Sequence, residues 1–189
     1  MIVTYLGTSV KEYLEKHLHI LGQKQWFCPL CQTKMAAHGQ YLRKLITADE
    51  TVARIPIARF RCGNCRRTHA ILPDFISPYR HYSMDIIAPA VEEVVDDQVP
   101  PERVQGGQDI PTTRRWVRRF LKRYSEAVGV LESLAFRLSK RIDSLIKENW
   151  PSPWQQLRAA LDKLPPIDST SVLGAVNIWL TMDVVGLWL

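Results

Sequence analysis

The sequence predicts an α+β protein, mostly α, in which an N-terminal β-ribbon pinned by cysteines leads into a helix-turn-helix-like region and C-terminal helices. Three observations predict this. The four cysteines form two pairs of equal spacing, Cys28-Pro29-Leu30-Cys31 and Cys62-Gly63-Asn64-Cys65. The stretch before the second pair is rich in Ile and Val and alternates with a period of two, as strands do. After residue 84 apolar residues recur at helical spacing, punctuated by proline pairs. Three regions are expected: residues 1–80 with an N-terminal helix and the ribbon, 81–125 as the helix-turn-helix-like region, and 126–189 as a helical interaction region.

The cysteines are the strongest chemical signal. A two-residue gap lets a tight turn aim both sulfurs at one point, and two such knuckles supply the four thiolates that tetrahedral zinc prefers. One pair alone could be a redox dithiol. A matched second pair with no cysteine left over favours one structural Zn2+ per chain, bound by Cys28, Cys31, Cys62 and Cys65. Four sulfurs fill the coordination shell, so the metal is expected to hold the fold rather than do chemistry. His69 could replace one cysteine, but with four thiolates present it reads as a polar residue on the ribbon surface.

A chain of 189 residues that is 46% hydrophobic can bury a sizeable core. Its opening, Met1 to Leu6, is too short and lacks the basic lead of a secretory signal. Paired thiols without such a signal fit the reducing cytoplasm. The net charge is +6, and it is unevenly spread. Residues 24–69 hold nine Lys/Arg against two acids, a net of +7, and residues 103–123 hold seven against one, a net of +6. Between them, residues 81–102 carry six acids and no Lys or Arg. Two basic blocks flanking an acidic stretch suggest two surfaces for a polyanion.

Residues 8–21 read as an amphipathic helix, with Thr8 or Ser9 as N-cap and Glu12 closing a capping box on Ser9. His17 and His19 within it read as surface or packing residues. Gln40–Thr47 and Thr51–Cys62 read as strands joined by a turn at Asp49-Glu50. The period of two puts Arg59 and Arg61 on one face of the second strand, opposite Ala58 and Phe60. Arg66 and Arg67 follow the second cysteine pair directly, and these four arginines are candidate DNA contacts. Pro73, Pro78 and the polar run to Ser83 read as a linker. Residues 84–98 read as a helix in spite of Pro89, which removes one hydrogen bond and kinks the axis. A short second helix is expected from Pro101 to before Gly106-Gly107.

The next helix, Ile110 to Tyr124, is divided by charge. With Arg114 set at zero, Arg114, Arg118, Lys122, Arg115, Arg119 and Arg123 fall at about 0, 40, 80, 100, 140 and 180°. Trp116, Phe120, Tyr124, Val117 and Leu121 fall between about 200 and 340°. A solvated face normally mixes signs, but this one has no acid from Ile110 to Ser125. A basic helix entered through a short helix and turn is the pattern of a helix-turn-helix reader. Arg114, Arg115 and Arg118, in its first turns, would then face base edges, and Arg119, Lys122 and Arg123 phosphates.

Residues 125–149 continue as helix, with a break at Gly129 and a stripe of Leu131, Leu134, Leu138, Ile142 and Leu145 or Ile146. Trp154 to Leu164 forms another helix between proline stops. Val172 to Leu189 carries one charge, Asp183, in 18 residues. That length touches the threshold for a membrane span, but Asp183 alone costs about 3 kcal/mol at mid-bilayer. The segment is therefore expected to be buried in a dimer or partner interface, with a membrane span as the alternative.

The set Cys28-Pro29-Leu30-Cys31, Arg59 through His69, Leu72-Pro73-Asp74-Phe75, Pro78-Tyr79-Arg80 and Arg114 through Phe120 resembles the transposase-like zinc-ribbon plus helix-turn-helix proteins of bacterial mobile elements. It is also similar in layout to small ribbon-plus-helix regulators encoded by insertion sequences. The resemblance covers about residues 26–124, and the second knuckle with its Thr68-His69 tail is its most specific part. It implies DNA binding in a transposition or recombination setting.

No Ser-His-Asp constellation, phosphate loop or dinucleotide fingerprint is present in the sequence. After Tyr124 there is no strand-rich region to hold a carboxylate cluster for phosphodiester chemistry. The sequence therefore reads as a non-enzymatic, zinc-dependent DNA-binding accessory or regulator of a mobile element. The alternative is a zinc-ribbon adaptor that assembles a homodimer or a complex with a protein partner through residues 126–189.

Overall fold

The computed structural model describes residues 1–49, 51–106, 108–139 and 149–182, the Leu18 side chain excepted. Four strands form one mixed sheet. β1 (Ile2–Thr4) runs parallel to β4 (Thr68–Pro73), β4 runs antiparallel to β3 (Val52–Cys62), and β3 forms an antiparallel hairpin with β2 (Met35–Ile46). The order across the sheet is β1-β4-β3-β2. This corrects the expected fold class: the N-terminal unit is a mixed sheet, not a stand-alone ribbon, and the protein is α+β rather than mostly α. β1 escaped the sequence pattern because three residues are too few to show alternation. Its parallel partner lies some 70 positions away, with no local turn signal to announce it.

α1 (Val10–Gln23) covers the open edge of β3. β4 reaches β3 only at Arg59–Arg61, so the edge near Pro56 is unpaired, which is where a strand tolerates proline. There the buried Tyr13 donates its hydroxyl to the Pro56 carbonyl at 2.6 Å. His17 is buried too, stacked on Tyr13 with ring centroids 5.0 Å apart. Ser9 caps the helix, its Oγ accepting from the Glu12 amide at 3.2 Å. Glu12 reaches back to Thr8 rather than Ser9, accepting from its amide and its hydroxyl, each at 2.8 Å.

The hydrogen bonds from Thr8, backbone first, and from Lys16 hold the Glu12 carboxyl down at about 2, below its ordinary 4.5. A depressed carboxyl contributes stability that is full above its unfolded value and lost as pH falls through its folded one. Glu12→Gln should therefore lower the melting temperature at neutral pH, and the difference from wild type should close between about 4.5 and 2. A gap that persists at the acid end would assign the effect to packing instead.

Much of the expected linker is buried: residues 71–78 are buried in succession. Ile71, Leu72, Phe75 and Ile76 fill the sheet core, and the prolines punctuate turns inside it rather than a free tether. Residues after the turn return to the sheet, with Ile46 donating to the His81 carbonyl and Ser83 donating to that of Ile46.

α2 (Met84–Val95) keeps its helix through Pro89, which lies on its exposed side. Residues 96–106 and 108–109 form turns and irregular chain, without the second helix expected from Pro101 among the described residues. A helix-turn-helix joins its helices by a turn of about 3–4 residues, so the expected helix-turn-helix-like region is not formed. Pro100-Pro101 and the Gly106-Gly107 pair leave too little helical propensity between them. α3 (Ile110–Ser139) follows, capped by Asp109, whose carboxylate accepts from the Thr112 amide at 2.7 Å. It runs for 30 residues without a break at Gly129. Ile142, Leu145 and Ile146 of the expected stripe lie outside the described residues.

α4 (Pro153–Asp162) packs on α3 through the fully buried Trp154, whose ring lies 5.6 Å from that of Phe120. α5 (Val172–Met182) is buried at every position from Leu173 to Thr181. Leu173, Val176, Trp179 and Leu180 join the helical core, while Ile178 joins the sheet core. The buried Asp74 carboxylate anchors the start of this helix, accepting from the Thr170 amide and hydroxyl at 2.5 and 2.8 Å. Gly174 sits so close that a Cβ there would lie 3.0 Å from Asp74 Oδ2. At least as far as Met182, then, α5 is an internal helix of its own chain. Residues 183–189, the rest of the expected interface segment, lie outside the described residues. Among the described residues no helix is long and apolar enough to cross a membrane.

Candidate metal centre and cationic surfaces

The two knuckles have the same backbone design. In the first, the Cys28 amide donates to the Thr33 carbonyl at 2.8 Å; in the second, the Cys62 amide donates to the Arg67 carbonyl at 2.9 Å. Each bond runs from the first cysteine to the residue five positions on. Each loop also has a left-handed residue at the fourth position, Gln32 at φ 56° and Arg66 at φ 58°. The first knuckle leads into β2 and the second connects β3 to β4. Because Met35 pairs with Cys62 across the hairpin, the two loops meet at one end of the sheet.

The sulfurs converge. Cys28 Sγ lies 3.6 Å from Cys65 Sγ, and Cys31 Sγ lies 3.4 Å from Cys62 Sγ. All four are within 4.8 Å of one another, and together they could hold a metal ion. Cys28 and Cys62 are buried, Cys31 is half-buried and Cys65 is exposed. Hydrogen bonding with the Thr33 backbone and hydroxyl, and then with the Cys62 sulfur, lowers the Cys31 thiol to about 6. Against the backbone hydrogen bond from Arg67, burial and the neighbouring sulfurs push the Cys65 thiol the opposite way, up to about 11, so in the absence of a cation the four sulfurs share few negative charges.

His69 is buried rather than on the surface, with Nε2 3.5 Å from Cys28 Sγ. Burial, then the charged N-terminus and Arg67, push its pKa below the ordinary histidine value. A neutral imidazole with hydrogen on Nε2 would donate to the Cys28 sulfur. Such a bond orients a ligand without replacing it. The Thr68-His69 pair opens β4, so its position follows from the strand that the sequence did not reveal.

Around the metal centre Arg59, Arg61, Arg66 and Arg67 are all exposed. Arg61 Nε donates to the Arg66 carbonyl at 3.3 Å and lines a shallow groove with Lys34, His38 and Arg66.

On α3 the cationic half is split lengthwise. Arg114, Arg118 and Lys122 project outward on one stripe, all exposed. Arg114 spends its charge on an ion pair with Glu102. Arg115, Arg119 and Arg123 form the stripe next to the buried Trp116 and Phe120, with Arg119 and Arg123 half-buried. Sorting the six by position along the helix, as a helix-turn-helix would, is thus replaced by sorting by side.

Arg80, which the sequence reading did not single out as a site residue, joins the second stripe. It comes from the turn after β4 and shares a small cavity with Arg119 over Trp116 and Phe120. Burial lowers the Arg80 pKa first, and Arg115 and Arg123 lower it further; burial, Arg80 and Arg123 do the same to Arg119. The Arg119 Nε is buried without a hydrogen-bond partner. Only the fold places a residue 35 positions upstream of Arg115 against α3, so no spacing could have revealed it.

A family model described as a domain of unknown function, DUF6431, matches residues 28–116. No curated protein and no solved structure matches the chain. The matched span starts at the first cysteine of the metal centre and ends at Trp116. The chain is thus similar to that family over both knuckles, β2 to β4, the turn that carries Arg80, and the opening turns of α3.

Proposed function

We propose that this protein is a non-enzymatic DNA-binding accessory or regulator of a mobile element, with a structural zinc ion holding its sheet. The zinc reading rests on the donor set. Four sulfurs about 2.3 Å from a tetrahedral centre lie about 3.8 Å apart, close to the 3.4 and 3.6 Å separations of the nearest pairs. All-thiolate coordination leaves no position for water or substrate. The DNA reading is carried by one observation, the concentration of arginines on α3 and beside it, with Arg115, Arg118 and Lys122 exposed and Arg114 paired with Glu102. The resemblance to transposase-like proteins supplies the mobile-element setting.

Phosphate contacts release counterions, so binding to duplex DNA should weaken steeply between about 50 and 200 mM salt. Arg118→Ala/Lys122→Ala removes two exposed cations from the outer stripe and should lower the salt slope by about 2 while leaving the fold intact. Fluorescence anisotropy with a labelled duplex measures both. Absence of salt-dependent binding by the wild type would overturn the proposal and favour the adaptor reading.

A further inference from the structure

Tyr79 stands where a turn asks for glycine. The Arg80 amide donates to the Ser77 carbonyl at 3.3 Å, closing a four-residue turn over Ser77-Pro78-Tyr79-Arg80. Pro78 suits the second position of such a turn, and the third must take positive φ, the place glycine usually fills. Here it is Tyr79, at φ 61° and 75% exposed. A bulky residue rarely adopts that conformation. Its side chain has little burial to compensate it.

The turn is fixed from beneath. Arg43, from β2, donates through Nη2 to the Ser77 carbonyl at 2.6 Å and to the Arg80 carbonyl at 2.5 Å. Arg43 is thus a half-buried cation beneath the same turn, hydrogen-bonded to two of its carbonyls. The result is an aromatic ring projecting into solvent from a braced turn, one residue before an arginine that shares a cavity with Arg119. Half-buried arginines that share a cavity gain from an incoming anion, and planar guanidinium groups match phosphate oxygens in pairs.

We propose that Arg80 and Arg119 seat a backbone phosphate and that Tyr79 stacks an unpaired base of the same strand, so that the protein favours DNA carrying a single-stranded end. This rests on the DNA-binding reading above and sharpens it. In a fully paired duplex the bases are stacked on one another, and an exposed ring has no free base face to meet. An unpaired nucleotide offers both a π-face and a flexible backbone, and aromatic stacking on it tolerates any base.

The test compares a labelled blunt duplex with the same duplex carrying a short single-stranded overhang on either strand. The wild type should favour the overhang by roughly fivefold or more. Tyr79→Ala should remove that preference and keep the blunt-duplex affinity, whereas Tyr79→Phe, which keeps the ring, should keep the preference. Arg80→Ala should weaken overhang binding, with its melting temperature recorded so that a folding defect is not mistaken for a lost contact. Equal wild-type affinity for the two DNAs, or a Tyr79→Ala loss on both alike, overturns the nucleotide seat and leaves duplex binding standing. Failure to bind either DNA removes the DNA-binding reading, and the seat with it.

Discussion

Replacing Cys62 with serine should unfold the sheet, and a strong chelator should do the same to the wild type. Cys62 is fully buried at the junction of β3 and the second knuckle, where its amide ties the loop to Arg67 and its sulfur faces Cys31. Without a metal, the site gathers four thiols into a space where their mutual contacts contribute little. With one, the apparent binding free energy of a structural zinc, about 10–16 kcal/mol, is folding free energy. That is comparable to the whole stability of a typical domain, about 5–15 kcal/mol. Trp26, buried with its ring 5.8 Å from Phe60, gives a fluorescence reading of the nearby packing. Metal analysis should return one zinc per chain for the wild type. A wild-type sheet that stays folded, with unchanged Trp26 environment, in the presence of excess chelator would show that the cysteines are not a structural metal site.

The cysteine cluster was legible because its information is local: two turns of fixed length, each carrying two sulfurs. The hairpin was legible for the same reason, through its period of two. What stayed hidden depends on contacts between distant segments. β1 pairs with a strand some 70 positions away, and without β4 the burial of His69 could not be inferred. Pro73 and Pro78 looked like the marks of a linker, yet they punctuate the chain where it passes through the core. Helical period located α3 and its cationic half, but not the ion pair that engages Arg114 or the turn that brings Arg80 to Arg119. Apolar composition on all sides of 172–182 marks a buried helix and does not say what buries it.

That last ambiguity is resolved by Ile178, and its substitution is the second large effect. An interface helix would accept Ile178→Asp with a change of oligomeric state while the protomer stayed folded. In this structure Ile178 is 4% exposed and packs in the sheet core, while Leu173, Val176 and Leu180 on the same helix pack in the helical core. α5 is also held at Val3, whose amide donates to Thr181 Oγ1 at 3.2 Å, and at Asp74 through Thr170. Loss of the buried isoleucine side chain costs about 2–5 kcal/mol. An aspartate in its place must either bury an unpaired charge or take up a proton, which adds further cost. The total approaches the stability of a domain, and because α5 contacts both cores, both should lose structure together. Ile178→Val should cost only about 0.5–1.5 kcal/mol and keep a single cooperative transition. Circular dichroism and the near-ultraviolet signal of the tryptophans would follow this. An Ile178→Asp protein that keeps the wild-type melting temperature and changes only its mass in solution would return α5 to the interface role expected from the sequence.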